Sequence, residues 1–68
     1  MQISIKGARA EKGMTQKEVG IIMGVTPETI SNWERGITAP SAPQLIKLCG
    51  VYGVNLSDIY LDKKLAKS

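Results

Sequence analysis

The sequence predicts an all-α domain of five short helices. Three observations predict it. Apolar residues recur at helical spacing, with no strand-like alternation beyond Ile3-Ser4-Ile5 at the start. Gly13, Gly24, Gly36 and Gly53 fall where apolar stripes stop. Capping signatures stand just ahead of several of those stripes.

The first helix is expected within residues 3–12, ISIKGARAEK, where Ile5 and Ala8 share a face. Gly13 then supplies a left-handed stop. Thr15-Gln16-Lys17-Glu18 forms a capping box: Thr15 can accept from the Glu18 amide while Glu18 reaches back to the Thr15 amide. Val19, Ile22 and Met23 carry the second stripe to Gly24. Thr26 is an N-cap followed by Pro27 at the first helical position, where the missing N–H removes nothing the helix needs. Glu28 adds negative charge in the first turn, and this third helix runs to about Arg35 before Gly36. Pro40 and Pro43 bracket a loop leading into Ser41-Ala42-Pro43-Gln44, a second capping box. Leu45, Leu48, Cys49 and Tyr52 line the fourth helix as far as Gly53. Gly50 lies inside it, where alanine would be more stable. Asn55 is the expected cap of a fifth helix, with Asp58 at its third position and Leu56, Ile59 and Tyr60 on its apolar face. Residues 1–61 are expected to make one domain, with 62–68, DKKLAKS, a short polar tail expected to fray.

Size and composition exclude much. A chain of 68 residues has room for one small core. With one cysteine and no histidine it forms no internal disulfide and lacks the common zinc-ligand sets. A single free thiol suits a reducing compartment, so the expected location is the cytoplasm. No apolar run reaches the roughly 18 residues of a membrane span, and the start lacks a signal-peptide layout. The net charge of +3 tilts weakly toward an acidic partner. The first 36 residues contribute little of it, with five basic and four acidic groups. Catalysis has almost nothing to use: Cys49 sits on a buried stripe, and no phosphate cradle or paired-acid motif occurs. No cofactor, metal or small-molecule ligand is expected.

Residues 15–36 carry the functional information. Two helices of about eight residues are joined by Gly24-Val25, which describes a helix-turn-helix. A glycine inside the first of them, Gly20, costs about 1 kcal/mol relative to alanine. Close crossing of two short helices gives it a reason. On the second helix, Glu28, Ser31, Asn32 and Arg35 fall within about 100° of arc, with Ile30 opposite and Trp33 beside it. Such a face is either solvated or a reading face for the DNA major groove. Geometry alone leaves both open.

These residues resemble the lambda-repressor-like helix-turn-helix domains of Xre and Cro type. The resemblance covers about residues 3–61. It rests on Arg9 four residues before Gly13, Thr15-Gln16-Lys17-Glu18, Gly24-Val25-Thr26, Ile30-Ser31, Trp33-Glu34-Arg35-Gly36, Pro40, and Leu45 through Gly53-Val54. It implies a compact five-helix fold whose third helix, 27–35, enters the major groove. By position, Glu28, Thr29 and Asn32 would read bases, with Pro27 and Ser31 at the margin. Gln16 and Thr26 match positions that hold the phosphate backbone, and Lys17, Arg35 and Thr38 join them by proximity. The family also implies an ion pair between Arg9 and Glu34 inside the domain, which removes Arg9 from the DNA-facing charge, and places Trp33 in the core. Pro27 departs from the pattern, since it has no donor for a base. Glu28 departs too, being anionic opposite phosphates; accepting from cytosine N4 would offset this, as Asn32 would read adenine.

The implied function is a sequence-specific, double-stranded DNA-binding regulator from a bacterium or phage, most simply a repressor. One such module covers only about 600–1,000 Å2 of protein surface on DNA. A homodimer on a pseudo-palindromic operator is therefore expected, with half-sites roughly 34–36 Å apart. The last helix offers the dimer candidates Ile59, Tyr60, Leu61 and Leu65, beside Leu56. The rival reading is a protein-binding module on the same fold, such as an antitoxin or bridging factor. The tail would also suit a linker within a larger protein.

Overall fold

The computed structural model describes residues 2–60. Within them the chain runs β1 (Ile3–Ser4), α1 (Ile5–Glu11), α2 (Gln16–Met23), α3 (Pro27–Arg35), α4 (Ala42–Tyr52), a 3-10 turn (Leu56–Asp58) and β2 (Ile59–Tyr60). The fold is helical, but with four α-helices among the described residues where five were expected. Asn55 makes no side-chain capping bond, so the segment after it winds through a single 3-10 turn. It then extends, and Ile59 and Tyr60 pair in parallel with Ile3 and Ser4. A β-branched and an aromatic residue suit that extended ladder better than another helical turn. The start of the chain changes correspondingly. Ile3 and Ser4 form the partner strand, and the Ser4 hydroxyl caps α1 by accepting from the Gly7 amide at 2.9 Å.

Both capping boxes form. Thr15 Oγ1 accepts from the Glu18 amide while Glu18 Oε1 accepts from the Thr15 amide, at 3.0 and 2.8 Å. The same reciprocal pair joins Ser41 and Gln44. The four glycine stops adopt φ between 67° and 76°, the left-handed region glycine enters without steric cost. After each, the next amide reaches back five residues: Met14 to Arg9, Val25 to Gly20, Ile37 to Asn32 and Val54 to Cys49. This is the Schellman closure. Met14, Val25 and Val54 then pack on the core, whereas Ile37 stands half-exposed.

The core gathers Ile5, Ala8, Val19, Ile30, Trp33, Leu48 and Tyr52, with Cys49 also buried. α2 contributes less apolar surface than its stripe predicts. Val19 is fully buried and Met23 packs against the core, but Ile22 is 45% exposed and Ile21 72% exposed. Among the described residues no helix is long and apolar enough to cross a membrane.

Candidate nucleic-acid interface

The interface candidate is built on the α2–α3 pair, the most extensively packed pair of elements in the domain. Gly20 explains their closeness. A Cβ placed there would lie 2.8 Å from the Val25 carbonyl oxygen and 3.3 Å from Pro27 N and the Thr26 carbonyl carbon. The backbone of the turn therefore occupies the space that any other residue's side chain would take. The Gly20 carbonyl also accepts from the Val25 amide at 2.9 Å, tying the turn to the helix it follows.

α3 starts at Thr26, whose hydroxyl accepts from the Thr29 amide at 3.1 Å and lies 2.9 Å from the Thr29 hydroxyl. The Thr29 side chain is thus engaged at the cap. Ile30 and Trp33 anchor the inner face of α3, at 0% and 5% exposure. Pro27, Glu28 and Arg35 are exposed, and Thr29, Ser31 and Asn32 half-buried. Glu28, Ser31, Asn32 and Arg35 make no side-chain hydrogen bond or ion pair among the described residues. One face of α3 therefore carries an acceptor, an amide, a hydroxyl and a guanidinium, none of them engaged by another described side chain or backbone group. Thr38 is exposed just beyond the helix, with its amide directed to the Asn32 carbonyl.

Behind α3, Arg9 and Glu34 meet in a two-pronged ion pair, Nε to Oε2 at 2.6 Å and Nη2 to Oε1 at 3.2 Å. The third guanidinium prong, Nη1, donates to the Met14 carbonyl at 2.8 Å. The side chains are 15% and 3% exposed. The hydrogen bond to Glu34 holds the Arg9 pKa above its ordinary value against the opposing effect of burial. Gln16, at the first position of α2, does not stand free: its Nε2 donates to Glu34 Oε1 at 3.0 Å. That bond has no signature in the sequence. Neither has the Met14 carbonyl's part in holding Arg9. Lys17 is exposed, on the same first turn of α2. Helix geometry leaves the Gln16 and Lys17 amides without intrahelical acceptors.

The proposed dimer surface lies elsewhere. Ile59 is half-buried and packs on the core, while Leu56 is 49% exposed. Tyr60 is placed by its backbone in β2. Leu61, Leu65 and the tail at 62–68 lie outside the described residues.

Two capped helices closed by a glycine turn, with the second offering an open polar face, define a helix-turn-helix unit. The helix-turn-helix family model matches residues 5–59, which covers every α-helix described above. The chain belongs to the lambda-repressor-like helix-turn-helix family of transcriptional regulators. It is 30% identical over 60 residues to "Uncharacterized HTH-type transcriptional regulator YgzD" of Bacillus subtilis, an alignment spanning 88% of this chain and 91% of that one. An "Uncharacterized HTH-type transcriptional regulator" of Archaeoglobus fulgidus is 36% identical over 61 residues, or 90% and 86% of the two chains. "Putative multi-protein-binding factor 1" of Yarrowia lipolytica is 38% identical over 52 residues, which are 76% of this chain but 34% of that protein.

Proposed function

We infer that this chain is a sequence-specific, double-stranded DNA-binding regulator of Xre/Cro type, acting as a repressor by inserting α3 into the major groove. The observation that supports this best is the uncommitted polar face of α3, held outward by Ile30 and Trp33 and set at a fixed distance from α2 by Gly20. Glu28, Thr29 and Asn32 read bases, with Pro27 and Ser31 at the margin. Asn32 pairs with adenine N6 and N7, and Glu28 accepts from cytosine N4. Gln16, Lys17 and the α2 amides, with Thr26, Arg35 and Thr38, hold phosphates on either side. Arg9 and Glu34 are structural. In this reading the protein works in the cytoplasm, on the nucleoid, as a homodimer on a pseudo-palindromic operator. Leu56 and Ile59, with Tyr60, Leu61 and Leu65, supply the dimer contact.

The test is selection of bound duplexes from a randomised pool, with affinity measured at two salt concentrations. A palindromic consensus with half-sites about 10 base pairs apart and a steep salt dependence is the expected result. Weak binding alike to all sequences would reject it.

A second reading, a module that bridges other proteins, draws support from the exposed Ile21 and Ile22 on α2 and from the relative named as a multi-protein-binding factor. It predicts a flat selection and a partner whose binding is lost when Ile21 is replaced by a charged residue.

A further inference from the structure

The cluster behind α3 does more than hold the fold. We propose that Glu34, neutralised by Arg9, is a positioning residue for DNA binding: it holds the Gln16 amide so that Gln16 bridges the carboxylate and a backbone phosphate at the same time. This rests on the reading of α2 and α3 as a DNA-binding unit and assigns a role to residues that lie behind it.

The geometry carries the argument. A carboxylate can only accept, so the Gln16 atom 3.0 Å from Glu34 Oε1 is the amide nitrogen and not its oxygen. That nitrogen has two hydrogens, and Glu34 takes one. The other remains for an acceptor outside the protein, beside the open amides of the first α2 turn. Without Glu34 the amide would be free to rotate, and half of its orientations would turn its own oxygen toward a phosphate. A bare carboxylate this close to DNA would repel it. Here Arg9 covers both carboxylate oxygens, at 2.6 and 3.2 Å, so the pair presents no net charge to the phosphate. Arg9 is itself fixed by the Met14 carbonyl, 2.8 Å away, and Glu34 belongs to α3. The docking atom of α2 is therefore set from α3, the helix that reads the bases.

The test uses the full chain and a duplex selected from a random pool. In nitrogen–proton spectra of the DNA-free protein, one Gln16 side-chain amide proton should already be displaced from the free-amide position. Adding the duplex should move the second proton while the first stays where it is. Return of the first proton to the free-amide position would overturn the proposal, because Gln16 would then release Glu34 to reach DNA. So would movement of the α3 amides with neither Gln16 proton shifting. If α3 amides do not move either, the DNA-binding reading fails, and this inference with it.

Affinity supplies the second arm. Glu34→Asp keeps a negative charge facing Arg9 but draws the carboxylate back by one methylene from both Arg9 and Gln16. It should weaken duplex binding roughly three- to tenfold, the range expected for one lost hydrogen bond. In a Gln16→Ala background it should weaken binding no further. Equal losses in both backgrounds would make Glu34 merely structural. If Glu34→Asp does not fold, the spectra of the unaltered protein decide.

Discussion

Arg9 Nε lies 2.6 Å from Glu34 Oε2, joining α1 to α3 across 25 positions of sequence in a largely buried pair. Removing one partner of such a pair leaves the other charge stranded, at a cost of about 3–5 kcal/mol. A domain of this size is stable by only about 3–10 kcal/mol in total. Arg9→Ala should therefore unfold the domain or leave it barely folded, as followed by circular dichroism during heating. A melt like that of the unaltered protein, combined with weakened DNA binding, would instead assign Arg9 to a phosphate.

Gly20 and Gly50 should respond to alanine with opposite signs. At Gly20 the new Cβ meets the Val25 carbonyl oxygen at 2.8 Å, and backbone cannot step aside cheaply. Overpacking of this kind costs about 1–3 kcal/mol, more than alanine's helical advantage returns. At Gly50 nothing lies within 4 Å of the added methyl, so Gly50→Ala should stabilise by about 0.5–1 kcal/mol. Urea midpoints for the two variants check this; movement in the same direction would contradict it.

Tyr52 makes stability fall at alkaline pH. Its hydroxyl is buried and finds no hydrogen-bond partner among the described residues, and burial, followed by the nearby Glu34 charge, pushes its pKa up to about 12 from 10.0. The folded domain holds the phenol protonated where the unfolded chain ionises. Its contribution is complete below pH 10.0 and is lost as pH rises toward about 12. The loss is on the order of 1–3 kcal/mol. Burial raises the Cys49 thiol in the same direction from 9.0, so that decline begins earlier. Tyr52→Phe should flatten the upper part of the curve and match or exceed the original stability at pH 7, since it deletes an unpaired buried hydroxyl. Urea unfolding at neutral pH and above pH 10 measures both effects.

On DNA, charge and base contacts should separate. Lys17→Ala and Arg35→Ala should each weaken binding to all duplexes and reduce the salt slope by about 1. Asn32→Ala should leave the slope unchanged and cost about 1–3 kcal/mol at its adenine alone. Unchanged discrimination between the best site and its adenine-substituted form would remove Asn32 from base reading.

What was legible in the sequence was whatever depends on near neighbours. Thr15 with Glu18, Ser41 with Gln44 and Thr26 with Pro27 are local rules, and the helix starts follow them. Gly13, Gly24, Gly36 and Gly53 mark the stops for the same reason. Gly20 was legible because a glycine inside a helix costs stability unless something replaces its side chain. Asn55, Leu56 and Asp58 resemble the start of a fifth helix, but the strand that captures Ile59 instead is formed by Ile3 and Ser4, far away in sequence. Ile22 fits the α2 stripe, yet it is exposed; spacing tells which residues share a face, not how far the neighbouring helices extend over it. The Gln16–Glu34 bond joins residues 18 positions apart, and no local pattern announces it.

The pairing of Ile3 with Ile59 also sets an order of events. During synthesis α1 through α4 leave the ribosome ahead of β2, so the closing strand is the last described element to become available for pairing. The ladder between the two ends shuts last, because it spans nearly the whole described chain. Only two residues long on each side, it is also the first part to open in the finished domain. Its amides should exchange with solvent through local breathing, faster than those of the buried Ile30 and Trp33. The latch that completes the fold is thus a short seam, tied to the helices through Ile3 and Ile59, which pack on the core that also anchors α3.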